Sequence, residues 1–254
     1  KSRMENLSDL QARYDALKGL NLKLNIERGQ PGDDNFALSN KILTIVTEKD
    51  VITGSGLDIR NYPGGVLGLP EARELFAPLL GAKPEETLVG NNASLLIISK
   101  VLMWAMLKGL LNSPAPWCRE NKPKMIVTVP GYDRHFTLLH EIGFEMVPVR
   151  MTKEGPDMTA VEKAAEDPLV KGILFVPTYS NPTGDTVSDE TVDRLAAMKT
   201  GAADFTIFAD DAYVVHHLID NPRPPKSLRR ACAEAGNPNR VYVFSSTSKT
   251  TFAS

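Results

Sequence analysis

This sequence has few cysteines and a net charge close to zero. Its 254 residues include only Cys118 and Cys232, too few for a disulfide scaffold or a four-cysteine metal site. The 29 lysines and arginines nearly balance the 31 aspartates and glutamates, so the formal charge is −2 and offers no electrostatic attraction for nucleic acid or an anionic membrane. An apolar content of 42% excludes a disordered chain.

Long apolar runs are also missing. The most hydrophobic run, residues 95–111, contains Lys100 and Lys108 and is shorter than the ~20 apolar residues that a membrane span requires. Residues 1–20 are charged and lack the apolar stretch of a secretory signal. We therefore expect a soluble, cytoplasmic protein.

From about residue 55 onward, short runs rich in Val, Ile and Phe alternate with longer segments of helical periodicity. The expected strands are residues 87–89, 125–129, 144–149, 173–176, 206–209 and 241–244. The expected helices are residues 94–111, 133–142, 159–167 and 188–200. Strands that are apolar on both faces and separated by helices predict an α/β fold, with a mostly parallel sheet sandwiched by helices. Residues 1–54 differ from this pattern and begin with a helix that Ser8 can cap.

Polar and aromatic residues follow five of the predicted strands, at positions that a packed core would not favour. In open parallel sheets, ligands bind outside the carboxyl ends of the strands. The sequence therefore predicts a ligand site built from the segments that follow the strands, namely residues 90–94, 130–135, 177–184, 209–213 and 245–249.

Two of these segments carry groups suited to carbonyl and ring chemistry. Lys249 lies in a hydroxyl-rich loop directly after a strand, where its amine could attack a carbonyl to form a Schiff base. Asp210 ends another strand and could keep a ring nitrogen protonated, while the Tyr213 phenol donates to an oxygen of the same ring. The alternatives are a solvated surface lysine and an aspartate that caps a turn.

Three further segments could orient a flat, phosphorylated ligand. The Asn181 amide, fixed by the following Pro-Thr-Gly, is a rigid donor, although Asn, Pro and Gly also form ordinary turns. The turn that ends at Ser94 begins a helix whose N–H groups suit a phosphate, although Ser94 could be a plain cap. Tyr132 could stack on a ring or pack as a core aromatic. His135 is a candidate supporting hydrogen bonder, and the pair His216–His217 is assigned no metal.

Together these motifs resemble those of the fold-type I pyridoxal-phosphate-dependent aminotransferases (class I/II). The order is a phosphate turn, a stacking aromatic, Asn-Pro-Thr-Gly, Asp-x-Ala-Tyr and Ser-x-x-Lys. The flanking words Glu-Arg-Gly-Gln-Pro at residues 27–31 and Gly-Asn-Asn-Ala-Ser at residues 90–94 look most like the MocR-type subgroup of bacterial aspartate aminotransferases. The resemblance implies an aminotransferase that exchanges an amino group between an amino acid, best guessed as aspartate, and a 2-oxo acid, best guessed as 2-oxoglutarate.

The resemblance also implies catalytic roles for individual residues. Lys249 matches the lysine that forms the Schiff base and shuttles a proton. Asp210, which His135 would support, matches the carboxylate paired with the pyridinium nitrogen of pyridoxal 5'-phosphate. Tyr213 and Asn181 match the two donors to the phenolate oxygen of the cofactor.

Other residues match the family's cofactor and substrate contacts. Tyr132 matches the residue stacked on the cofactor ring. The phosphate group would be held by Asn92, Ala93, Ser94 and Ser246. Tyr62 resembles the tyrosine that reaches the phosphate of the neighbouring subunit, which implies a homodimer with shared active sites. Gly29 lies where relatives place backbone near the substrate carboxylate, and Asn181 would also face the substrate.

The resemblance divides the chain into two parts. Residues 1–54 would form an N-terminal arm and part of a small domain, and residues 55–254 the large cofactor-binding domain. Family members continue past the lysine to one arginine on the phosphate and another on the substrate carboxylate. Because the sequence ends five residues after Lys249, we expect both arginines and the rest of the small domain to lie beyond Ser254.

Two other functions remain open from the sequence. One keeps the cofactor but changes the reaction, to a decarboxylase, a lyase or a different amino donor. The other is a non-catalytic cofactor-binding domain of a transcription regulator. The second alternative requires a basic DNA-binding domain ahead of the fold, and residues 1–20 are neither long nor basic enough for one.

Overall fold

The computed structural model describes residues 6–24, 31–63, 65–90, 93–222 and 224–252, which fall into two units, Lys1–Gln30 and Pro31–Ser254. In the first unit, helix α1 spans Leu7–Gly19. Its N-cap is Asn6 and not Ser8, because the Asn6 side chain accepts a hydrogen bond from Ser8 N (3.4 Å). Asparagine and serine cap about equally well, so composition alone did not decide between two nearby candidates.

The second unit is built on a six-stranded sheet in the order β3-β2-β1-β4-β5-β6. Its strands are β1 (Lys124–Val129), β2 (Glu145–Thr152), β3 (Gly155–Pro156), β4 (Val170–Phe175), β5 (Thr206–Asp210) and β6 (Val241–Phe244). Every neighbouring pair is parallel except β2 with β3, which form a short hairpin that the sequence did not predict. The predicted mostly parallel sheet is confirmed.

Helices α2 (Asp33–Ser39) and α3 (Pro70–Phe76) come first in this unit. The helices that cover the two faces of the sheet are α4 (Ser94–Lys108), α5 (Asp133–Ile142), α6 (Met158–Ala165), α7 (Asp189–Ala197) and α8 (Leu228–Glu234). Helix α4 ends three residues before its predicted end because Gly109 adopts a positive φ of 83°. None of the helices in the described ranges is both long and apolar enough to cross a bilayer.

Two apolar clusters, one on each face, hold the layers together. Alternate residues of β5 belong to different clusters, since Phe208 packs with Leu102 of α4 whereas Ile207 packs with Leu195 of α7. This alternation is what a strand buried on both faces requires. It also places Asp210, two residues after Phe208, on the face that α4 and α5 cover.

The predicted strand at residues 87–89 is wrong. These residues form no strand, and Val89 N–H donates to Leu67 O (2.9 Å) in an irregular segment. The contact depends on Gly68, whose φ is +89° and where a Cβ would lie 2.4 Å from Val89 O. A run of three residues carries too little periodicity to reveal this arrangement.

A buried polar cluster closes the sheet at the amino-terminal side of β4 and β5. Lys171 and Asp204 are each only 3% exposed, and Lys171 Nζ lies 3.3 Å from Asp204 Oδ1. The other carboxylate oxygen, Oδ2, accepts hydrogen bonds from Trp117 Nε1 (2.6 Å) and Ser113 Oγ (2.7 Å). Asp204 therefore fastens the loop before β1 to the sheet.

At the opposite end, Asp211 follows β5 and lines a cavity of about 190 Å³ together with Ala209. Burial raises the pKa of Asp211 to about 6; the Thr178 hydroxyl opposes this rise and the charge of Asp210 adds to it. Desolvation penalises the ionised carboxylate, so the protonated form is favoured.

Substitution of Asp204 should destabilise the protein strongly. Asp204→Ala removes the acceptor of the buried Trp117 donor and of the Ser113 hydroxyl and leaves the buried Lys171 ammonium only its contact with Glu120 (3.1 Å), so we expect a loss of about 3–5 kcal/mol in the free energy of unfolding, measured by urea denaturation. Asp193, which pairs with Lys226 at the surface, is the control, and Asp193→Ala should cost much less. Equal losses in the two variants would contradict the account.

The stability of the protein should depend on Asp211 between pH 4 and 6. Its folded-state pKa of about 6 lies above the ordinary value of 3.8, so its contribution is complete below about pH 4 and is lost as the pH rises through 6. The rise of the pKa from 3.8 to about 6 corresponds to a change of about 3 kcal/mol in the free energy of unfolding. The neutral variant Asp211→Asn should lack this part of the pH dependence, measured as unfolding free energy from pH 4 to 7. Parallel curves for the wild type and the variant would contradict the assignment.

Candidate active site

The loops that follow β5 and β6 start side by side at the carboxyl edge of the sheet. Asp210 pairs with Phe244 in the parallel ladder. Beyond it, Asp211 N–H donates to Phe244 O (2.7 Å), and Ser245 Oγ donates to Asp211 O (2.9 Å). The segments that carry Tyr213 and Lys249 are therefore joined at their bases.

Asp210 and His135 form a buried pair beneath this edge. Asp210 is 3% exposed and His135 2%, and His135 Nε2 lies 2.9 Å from Asp210 Oδ2. The second carboxylate oxygen, Oδ1, is also buried but has no hydrogen-bond partner within the described structure. An unpaired carboxylate oxygen is costly in a protein interior, so this atom is suited to receive an N–H donor from a ligand.

Tyr132 lies beside this pair, at the start of α5. Its ring centroid is 5.1 Å from that of His135, at an interplanar angle of 80°. The approach is fixed by Gly131, because a Cβ at that position would lie 2.3 Å from Thr128 O. Burial raises the pKa of Tyr132; the charge of Arg134 opposes this rise, and the charges of Asp133 and Asp210 add to it. The half-buried phenol is thus neutral near pH 7, and its ring is of the kind that stacks on an aromatic ligand.

The Tyr213 phenol lies near the Asn181 side chain and within reach of the Asp210 charge. Burial raises the pKa of Tyr213; the nearby Asn181 side chain opposes this rise and the charge of Asp210 adds to it. The Tyr213 phenol therefore keeps its proton near pH 7 and can donate a hydrogen bond. Asn181 lies in a loop closed by Ser180 N–H, which donates to Asp185 O (2.8 Å).

Several hydrogen bonds in the hydroxyl-rich turn around Lys249 share one acceptor, the backbone carbonyl oxygen of Thr247. Thr250 N–H and Thr251 N–H both donate to Thr247 O (3.0 Å each), and the Thr250 hydroxyl donates to the same oxygen (3.1 Å). The backbone carbonyl of Lys249 accepts a hydrogen bond from His216 Nε2 (2.8 Å). Sequence reasoning gave His216 no role; its position three residues after Tyr213 is the signal that could have identified it.

Ala93, Ser94 and Ser246 surround the start of α4. Ala93 is the extended N-cap residue, Ser94 is buried as the first helical residue, and Ala93 and Ser246 both line a cleft of about 520 Å³. Free backbone N–H groups and the dipole at a helix N-terminus favour an anion, and the serine hydroxyls add donors. Asn92, predicted for the same site, lies outside the described residues.

Tyr62 is a predicted site residue that the described structure does not bring to this edge. Tyr62 is 98% exposed, with φ at +51°, and its phenol lies in solvent. Gly29 lies outside the described residues. Within the described ranges, no group of three His, Cys, Asp or Glu side chains could hold a metal ion.

Comparisons with known proteins indicate the family of this chain. The sequence matches the family described as aspartate amino-transferase over residues 2–254. Aspartate aminotransferase from Corynebacterium glutamicum is 42% identical over 245 residues, which cover 96% of this chain and 56% of that protein. The crystal structure of an aspartate transaminase from the same species has a TM-score of 0.88 at 41% identity, and the match covers 97% of this chain and 58% of that one.

A more distant structure shares the fold. It is an α-aminoadipate aminotransferase from Thermus thermophilus in complex with N-(5'-phosphopyridoxyl)-L-leucine, with a TM-score of 0.64 at 22% identity, covering 89% of this chain and 52% of that one. This chain therefore spans somewhat more than half the length of the relatives that it matches. The MocR-type subgroup and the domain boundary at residue 54 stay predictions. On the match across residues 2–254, the chain belongs to the aspartate amino-transferase family.

Proposed function

We propose that this chain supplies the cofactor-binding part of a pyridoxal-phosphate-dependent aminotransferase that acts on aspartate and 2-oxoglutarate. Family membership supports the reaction class. The name of the Corynebacterium glutamicum relative, at 42% identity, supports the choice of aspartate as the amino donor. The resemblance further supports a homodimer in which Tyr62 reaches the neighbouring active site and Gly29 lies near the substrate carboxylate.

The observation that carries this proposal is the unpaired Oδ1 of Asp210. A pyridinium N–H is the donor that this buried oxygen lacks, and the negative charge of Asp210 would keep that nitrogen protonated. The His135 hydrogen bond to Oδ2 (2.9 Å) leaves Oδ1 to face the ligand. The residues present therefore fit the cofactor at its ring nitrogen.

The surrounding side chains fit the rest of the cofactor. Tyr132 would stack on the ring, while the Tyr213 phenol and the Asn181 amide would donate to its phenolate oxygen. The phosphate would be held by Asn92, Ala93, Ser94 and Ser246, because Ala93 and Ser94 form the N-terminus of α4.

When bound, pyridoxal phosphate withdraws electrons from the α-carbon of the amino acid, which makes the α-hydrogen acidic. The contribution of this chain is to bind, orient and transfer protons. Lys249 Nζ would hold the cofactor at its aldehyde carbon, with the aldehyde oxygen leaving as water, and the freed amine would carry the proton taken from the α-carbon. Asp210 would hold a proton at the ring nitrogen, His135 would orient Asp210, and Tyr213 would donate from its hydroxyl.

The proposal predicts that Lys249 is the single site of covalent attachment. Borohydride reduction of the loaded protein, followed by peptide mapping, should place the pyridoxyl group on Lys249. Lys249→Ala should lose the label and roughly 10⁴-fold or more of the transamination rate, because nucleophile and proton carrier are removed together. Lys226→Ala, at a surface ion pair, is the control and should keep both. A label on another residue in the wild type would reject the proposal.

Removal of the Asp210 charge should separate binding from catalysis. In Asp210→Asn, Lys249 should still be labelled by borohydride, since the attachment site is unchanged. The rate of α-proton exchange from deuterated aspartate should fall by roughly 10²–10³-fold or more, because a buried charge that acts in the transition state is lost. Asp193→Asn is the surface control. A variant that exchanges the α-proton at the wild-type rate would contradict the role of Asp210.

A further inference from the structure

We propose that His216 is a positioning residue that holds the Lys249 loop against the Tyr213 loop. The inference rests on the proposed function, because it concerns how Lys249 is aimed at the reacting carbon. His216 would not contact the cofactor or the substrate itself. It would act through the backbone of Lys249 and the ring of Tyr213.

The first contact is the hydrogen bond between His216 Nε2 and the backbone carbonyl of Lys249 (2.8 Å). A carbonyl oxygen can only accept, so Nε2 must carry the proton of this bond. Nδ1 of the same ring is buried and has no hydrogen-bond partner in the described structure. Burying Nδ1 without a partner costs free energy, and the hydrogen bond from Nε2 to the Lys249 carbonyl offsets part of that cost.

The second contact joins His216 to the Tyr213 loop. The two ring centroids are 5.6 Å apart and nearly perpendicular, at 89°. His216 N–H also donates to Tyr213 O (2.9 Å), which closes the turn that carries both residues. One side chain thus packs against the proposed phenol donor and bonds the backbone of the proposed catalytic lysine.

These contacts extend the links at the base of the two loops. Near the strands, Asp211 N–H and Ser245 Oγ join the loops by bonds of 2.7 and 2.9 Å. His216 joins the same two loops a second time. It lies five residues beyond Asp211, and its acceptor, the Lys249 carbonyl, lies four residues beyond Ser245. A lysine amine at the end of a long side chain is aimed by its backbone, so a shift of the loop displaces the reacting nitrogen. A misplacement of about 1 Å can cost roughly 10²-fold in rate.

The neighbouring histidine has different contacts. His217 is exposed, and its Nδ1 lies 2.9 Å from the Tyr179 hydroxyl. His140 is also exposed, on α5. The three histidines therefore differ in a way that a substitution can test, with His140 as the control outside the proposed site.

The test compares side chains that keep or lose the donor at the Nε2 position in the full-length, cofactor-loaded protein. His216→Gln places an amide nitrogen at the reach of Nε2, whereas His216→Asn is too short and His216→Leu has no donor. For the Leu and Asn variants we expect kcat for transamination to fall by roughly 10–100-fold, with KM for aspartate within about threefold of wild type. The Gln variant should recover most of kcat, and His140→Leu should match the wild type.

A second readout does not depend on turnover. Cofactor-stripped protein is mixed with pyridoxal phosphate and quenched with borohydride at timed intervals, and the label on Lys249 is followed by peptide mapping. Attachment should be roughly tenfold slower in the Leu and Asn variants and near the wild-type rate in the Gln variant. Because Asn and Gln differ mainly in reach, the pair remains informative even where Leu impairs folding.

Two outcomes would overturn the inference. One is attachment and kcat at wild-type values in both the Leu and the Asn variant. The other is a Gln variant as slow as Asn, since the bond to the Lys249 carbonyl would then not be the cause. Absence of label on Lys249 in the wild type would instead reject the proposed function, so the two failures are distinguishable.

Discussion

The buried contact between His135 and Asp210 is the constraint around which the candidate site is organised. Asp210 can be kept at the end of a fully buried strand because His135 binds one of its oxygens. That bond leaves Oδ1 buried and unpaired, an arrangement that burial penalises unless a ligand supplies a donor. Asp211 Oδ1 is buried and unpaired as well, so it is the position of Asp210 Oδ1, beside His135 and Tyr132, that favours a ligand donor there.

The sheet brings further side chains to the same edge as the Asp210 carboxylate. Parallel pairing places the ends of β1, β4, β5 and β6 along one edge, and each contributes a polar or aromatic residue. Tyr132 follows β1, Asn181 follows β4, Tyr213 follows β5 and Lys249 follows β6. At the far end of the sheet, the buried Lys171 ammonium lies 3.3 Å from Asp204 and 3.1 Å from Glu120, and Asp204 holds the loop before β1.

Much of this arrangement could be predicted from the sequence because it depends on local patterns. Strands buried on both faces give continuous apolar runs, and the residues that follow them mark the ligand edge. Where a pattern was short or ambiguous, prediction failed. Residues 87–89 have the composition of a strand but lie in an irregular segment set by Gly68, and Asn6 caps α1 where Ser8 was expected.

His216 was overlooked for a different reason. Its hydrogen bond to the Lys249 carbonyl joins loops that are 33 residues apart in sequence, which no local pattern reveals, and the spacing of three residues from Tyr213 is a signal of the second contact alone. By contrast, the family resemblance predicted roles for Tyr62, Asn92 and Gly29 that no contact in the described structure tests, and these roles stay predictions.

The protonation state of the cofactor ring nitrogen tests the central claim most directly. With pyridoxal phosphate labelled with ¹⁵N in the ring, the ¹⁵N chemical shift of the loaded wild-type protein should be that of a protonated pyridinium across the range from pH 6 to 8. In Asp210→Ala the same signal should move to the value of the neutral pyridine over that range. A neutral ring nitrogen in the wild type, or a shift that does not change on removal of Asp210, would contradict the account.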